Sequence, residues 1–125
     1  MGDPPTLDSQ TLRSLRELGG ETPDLLIAEL FALFRSTLDS QVQALRQSVA
    51  AVSTEVVAAA AHTIKGSAAS IGALEVASIC ARMETAARAG MVRDLPADLV
   101  LLQRASERLL RRMAEIESES KGAGP

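Results

Sequence analysis

Apolar residues recur three and four positions apart from Leu12 to Ile116, and no stretch sustains an alternation of apolar and polar residues with β-branched enrichment. A chain patterned this way is confined to helices. Asp8 can cap a short first helix, roughly Ser9 to Leu18, in which Leu12, Leu15 and Leu18 fall three apart, and Gly19-Gly20 stops it. Thr22-Pro23-Asp24 signals the next start: a side-chain cap, a proline at the first helical position, and an acid against the helix dipole. From there Leu26, Ile27, Leu30, Phe31, Phe34, Leu38, Val42, Leu45 and Val49 form a continuous apolar stripe to about Val49. Ser53 or Thr54 can cap a third helix, about Thr54 to Ile71, ended by Gly72. A fourth, from about Leu74 to Ala89, carries Val76, Ile79, Cys80, Met83 and Ala87 on one side and is closed by Gly90. Pro96 stands where a first-turn proline belongs in a fifth helix, about Ala97 to Glu117.

Four long helices with connections this short pack antiparallel. The expected architecture is all-α: an up-down-up-down four-helix bundle with the short first helix capping one end. A length of 125 residues fits one domain, with a core spanning about 8–117 and a flexible polar tail at 118–125.

Composition narrows the function. Hydrophobic residues make up 46% and charged ones 23%, a globular balance, and no apolar run approaches the roughly 18 to 20 residues of a membrane span. Asp3, Pro4, Pro5 and Asp8 occupy the place of a signal peptide's basic and apolar segments, so the expected location is cytoplasmic. Cys80 is the sole cysteine, which excludes an internal disulfide and a cysteine-based metal cage, and it reads as a small buried hydrophobe. A net charge of -3, with Phe31 and Phe34 as the only aromatic residues, leaves neither a basic face nor a stacking platform for nucleic acid.

The one histidine, His62, lies in the alanine-rich third helix. Projected at about 100° per residue, Val57, Ala60, Ile64, Ala68 and Ile71 form the core side. The opposite face, centred on His62, holds Ala58, Ala59, Lys65, Gly66, Ala69, Ser70 and Ala73. All but the lysine are small, so the imidazole should stand clear above a low surface. With an unperturbed pKa near 6.5, an imidazole presents a neutral nucleophilic nitrogen near pH 7. A cation at i+3 and a gap at i+4 complete a phosphoryl-accepting arrangement. Lys65 is the candidate to neutralise phosphoryl oxygens. Gly66 is the candidate to keep the approach open, since glycine within a helix costs about 1 kcal/mol relative to alanine. Glu84 borders the core on the fourth helix, where it could accept a hydrogen bond from one ring nitrogen and leave the other free. Each has a plainer alternative: an ordinary surface lysine, a glycine for tight helix packing, and a glutamate that is solvated or paired with Arg88 at i+4.

The segments Ala61-His62-Thr63-Ile64-Lys65-Gly66-Ser67, Ile71-Gly72-Ala73, Cys80, Met83-Glu84 and Ala86-Ala87-Arg88 resemble the histidine-containing phosphotransfer (HPt) domain of two-component phosphorelays. The resemblance covers the central helical hairpin closely; the flanking helices match in length, order and apolar pattern. Ile64 stands where the family often has leucine. The resemblance implies that the ring nitrogen farther from the backbone accepts a phosphoryl group from a receiver-domain aspartate and passes it to another response regulator. It further implies that Lys65 steadies the phosphate, Gly66 keeps the approach open and Glu84 holds the ring. The implied partners are receiver domains and a hybrid sensor histidine kinase. It implies too that no cofactor is bound and that magnesium comes from the receiver. With no resemblance to an ATP-binding kinase segment, the chain is expected to be a phosphoryl carrier with shared catalysis rather than a self-sufficient enzyme.

The phosphorylated input domain of a chemotaxis-type histidine kinase is an alternative with similar residues. A start at Met1 and a short tail favour a free-standing carrier or a piece excised from a longer protein. A non-catalytic module that binds and sequesters a receiver would not need His62. A helical-bundle metal hydrolase would need several histidines or inward carboxylates. The apolar content suits a monomer, while the long second helix could also support a dimer.

Overall fold

A computed structural model describes residues 2–122 of the chain. Five helices follow in order: α1 (Ser9–Leu18), α2 (Pro23–Ala50), α3 (Thr54–Ser70), α4 (Leu74–Arg88) and α5 (Leu95–Gly122). Helix α2 packs against α3 and α5, and α4 packs against the same two, so the long helices form a closed antiparallel ring. Phe31, Leu45, Ile64, Met83, Leu102, Leu109 and Met113 fill its centre with no exposed surface. The expected four-helix bundle with an additional N-terminal helix is therefore the observed fold.

Helix α1 covers the end of the bundle where α3 turns into α4. Asp8 caps it by accepting from the Thr11 N–H at 3.1 Å and the Thr11 hydroxyl at 2.6 Å. The preceding segment is laced to the turn: the Asp8 N–H donates to the Gly72 carbonyl at 2.8 Å and the Glu75 N–H to the Pro5 carbonyl at 3.0 Å. Gly72 has φ +81°, and a Cβ there would meet Thr11 Cβ at 2.8 Å. Only glycine satisfies both the backbone and the contact.

Sequence expectations about the helix ends need correction. Thr22 and Ser53 hold the N-cap positions of α2 and α3 without a side-chain capping bond. Helix α5 begins at Leu95 rather than Ala97, because the Leu95 side chain is buried and Pro96 falls among the first-turn residues whose N–H groups need no helical partner. The same helix continues through Ser118–Gly122, where a flexible tail was expected. Tertiary contacts hold it: Ile116 is buried, Glu117 pairs with Arg35, and the Ser120 hydroxyl donates to Asp24 at 3.1 Å. The remaining tail positions, 123–125, lie outside the described residues.

What positions the site is the α3–α4 pair. Ala58, Ala61, Ala68, Ala77, Cys80 and Ala87 are all buried, so these two helices approach through short side chains. That closeness lets a glutamate on one helix reach an imidazole on the other. The outer surface of α3 is correspondingly narrower than its helical projection suggests, because Ala58 and Ala73 are covered while Ala59, His62, Gly66, Ala69 and Ser70 stay exposed. Ala58 lies beside Ala87 and Arg88 of α4 along one groove, and Ala73 lies beyond the end of α3 in the turn.

Candidate functional site

His62 points to solvent, with 63% of its side chain exposed, while its partner Glu84 retains 9%. The two sit on adjacent helices with Nδ1 of the ring 3.0 Å from Oε2 of the carboxylate. The Lys65 ammonium donates to Oε1 of the same carboxylate at 2.6 Å. Arg88, one helical turn beyond Glu84, donates to Oε2 from Nε at 3.0 Å and from Nη2 at 2.7 Å. One carboxylate thus gathers an imidazole, an ammonium and a guanidinium.

The hydrogen bonds from Lys65 and then Arg88 lower the Glu84 carboxyl from 4.5 to about 2, against the opposing effect of its burial. An ionised carboxylate can only accept, so the hydrogen between it and the ring belongs to Nδ1. In the neutral imidazole Nε2 is then left with its lone pair directed away from Glu84. Beneath the cluster the Cys80 thiol is fully buried and pushed up to about 12, first by desolvation and then by Glu84, so it remains a neutral hydrophobe.

The space beside the ring is open. A Cβ built on Gly66 has no neighbour within 4 Å, which rules out tight helix packing as the use of this glycine. Towards the other end of α3 a groove of about 510 Å³ is lined by Glu55, Ala58, Ala59, Ala87, Arg88 and Gly90. Among the described residues no three His, Cys, Asp or Glu side chains gather in a way that could hold a metal ion, and no helix is long and apolar enough to cross a membrane.

The structure brings His62, Lys65 and Glu84 together and leaves Gly66 as the gap beside them. Lys65 is not an isolated surface lysine, and Glu84 meets both of the partners considered for it, His62 and Arg88. Sequence reasoning included Arg88 in a segment resembling the HPt domain and considered it as an i+4 partner of Glu84, with no role beside the imidazole. Its i+4 spacing from Glu84 was the available signal; that Arg88 and His62 would meet on the same carboxylate oxygen was not.

The description Hpt domain matches residues 29–118, most of the chain. The chain belongs to the Hpt domain family. Its activity is histidine phosphotransfer in a phosphorelay, and Hpt domains are phosphocarrier modules that work with receiver domains and kinases rather than classical enzymes. Two solved structures share the fold. The histidine-containing phosphotransfer protein B of Pseudomonas aeruginosa superposes with a TM-score of 0.82 at 23% identity, covering 92% of this chain and 96% of its own. The histidine-containing phosphotransfer protein MtHPt2 of Medicago truncatula superposes with a TM-score of 0.79 at 25% identity, covering 96% of this chain and 84% of its own. No curated protein matches the sequence.

Proposed function

We propose that Nε2 of His62 is the phosphoryl carrier atom of this Hpt domain, accepting from a receiver-domain aspartyl phosphate and donating to a second response regulator. The observation that carries this assignment is the exposed ring whose Nδ1 is held by Glu84. The Nε2 lone pair attacks phosphorus in line while the bond from phosphorus to the aspartyl oxygen breaks, and the aspartate departs as a carboxylate with that electron pair. The ring then carries positive charge. Glu84, accepting from Nδ1–H, stabilises it. Lys65, half-exposed and adjacent to the ring, exchanges Glu84 for the new phosphoryl oxygens. Reversal on a second receiver restores the starting state.

In this assignment the receiver supplies magnesium, which neutralises charge on the transferring group, and this chain contributes nucleophile, tautomer and cation without an ATP site. Its partners include a hybrid sensor kinase, its compartment is the cytoplasm, and it acts as a monomer; sedimentation tests the last. The test of the carrier assignment is His62→Gln incubated with a phosphorylated receiver. It should acquire no label while keeping the helical circular dichroism of the parent, and label persisting in the variant would remove His62 from the role.

A further inference from the structure

We propose that Arg88 is a positioning residue for phosphotransfer: chelating Glu84 Oε2, it limits how strongly that carboxylate draws on His62, and it retains the carboxylate when Lys65 turns to a phosphoryl group. This rests on His62 being the carrier. The geometry singles Arg88 out. Oε2 takes three donors, namely Nδ1 of His62 at 3.0 Å and two nitrogens of Arg88 at 3.0 and 2.7 Å, whereas Oε1 takes Lys65 alone. A carboxylate oxygen has two lone pairs, so the imidazole and the guanidinium compete for the same acceptor.

Competition has an electrostatic consequence. An unopposed carboxylate within about 4–6 Å favours the protonated, non-nucleophilic imidazolium. Lys65 and Arg88 offset that charge while the shared oxygen still orients the ring. When Lys65 leaves for the phosphoryl oxygens, Arg88 is the cation still paired with a largely buried carboxylate, which would otherwise face the new negative charge across the ring. Arg88 can hold both nitrogens on Oε2 because its fork is rigid and its anchoring Cα lies on the same helix.

Other charges around His62 do not substitute for it. On α3, Glu55 is exposed in the groove that Arg88 also lines, where solvent and salt screen it. On α4 the Cys80 thiol beneath is held uncharged. Helix α2, packed on the other side of α3, sends Arg35, Asp39 and Arg46 into the groove it shares with α5, across the bundle. Asp24 of α2 accepts from Ser120 at the far end, and Glu29 lies about three helical turns along α2 from the level of His62. Helix α5 packs mainly against α2 and α4.

The test is an NMR titration of the His62 ring in the whole chain, read beside the pH profile of transfer from a phosphorylated receiver. Arg88 is a largely exposed i,i+4 partner, so Arg88→Ala should keep its fold, and Arg88→Lys provides a second variant with charge but no fork. Arg88→Ala should raise the imidazolium midpoint by about one pH unit, Arg88→Lys by less, and Glu84→Gln combined with Arg88→Ala should abolish the rise. Transfer by Arg88→Ala should fall about fivefold near the parent midpoint and converge on the parent rate about two units higher. An unmoved midpoint, or a loss of rate uniform across pH, would overturn the proposal. Absence of transfer in the parent protein would instead overturn the carrier assignment, since the titration is read without any phosphoryl donor.

Discussion

The imidazole of His62 and the carboxylate of Glu84 meet at 3.0 Å across the α3–α4 interface, with the ring in solvent and the carboxylate in the wall behind it. Removing the acceptor frees the tautomer. In Glu84→Ala, nitrogen NMR of the ring should show a gain in the form protonated at Nε2, which cannot attack phosphorus. A hydrogen bond to a charged group contributes about 1.5–3 kcal/mol, so transfer should slow by roughly ten- to a hundredfold. A tautomer ratio identical to that of the parent would refute the pairing.

Lys65 binds Glu84 at 2.6 Å in the unphosphorylated protein, with Arg88 on the other carboxylate oxygen. Lys65→Ala should therefore leave Glu84 ionised and the helical content unchanged, yet slow transfer by about tenfold through the lost phosphoryl contact. Stopped-flow transfer and circular dichroism on the same preparation separate these effects. An unaltered rate would reduce Lys65 to a Glu84 partner.

Gly66 should give stability and activity changes of opposite sign. Nothing surrounds a Cβ at this position, so Gly66→Ala should stabilise the domain by up to about 1 kcal/mol. Gly66→Leu should fold as well but obstruct the approach to the ring, lowering the transfer rate while the melting temperature holds. A bulky variant as active as the parent would show that partners approach from another direction.

Acid should weaken the fold through Glu84. Its folded pKa is depressed from 4.5 to about 2, so its contribution is complete above about pH 4.5 and is lost as pH falls towards 2. Urea unfolding across that interval should show stability declining with acidification, with a shallower decline in Glu84→Gln. Equal slopes in the two proteins would exclude Glu84 as a source of the acid sensitivity.

Val52 carries a backbone that suits glycine. It follows the α2 C-cap with φ +56°, the Ser53 N–H bonds the Ser48 carbonyl at 2.9 Å, and the Val52 N–H bonds that of Val49 at 3.2 Å. These are the bonds of a Schellman motif, in which a left-handed β-branched residue costs about 1–2 kcal/mol. The side chain is exposed, so little packing is lost on truncation. Val52→Gly should raise stability by about 1 kcal/mol and the melting temperature by roughly 4 °C. A lower melting temperature would mean that valine contributes more there than its strain.

The helices were legible because their signals are local. Asp8, Pro23, Gly72 and Gly90 mark ends through side-chain capping, a fixed φ or a left-handed backbone, and the apolar stripe of α2 marks its core face at every turn. Where an end depends on distant contacts the local signals stop short. Ser118 and Ser120 read as tail residues, yet Asp24 and Arg35 on α2 hold that stretch helical. Val52 offered no glycine, and its left-handed turn follows from the joining of α2 to α3.

Helical periodicity and a sole histidine, with a lysine three residues on and a glycine four residues on, were enough to specify a bundle and an exposed imidazole, because spacing along one helix dictates which side chains share a face. Which oxygen of Glu84 each cation takes, and that Arg88 joins His62 on the same one, depended on how closely α3 and α4 approach. That distance comes from the short buried side chains of two separate segments, so no pattern within either segment contains it.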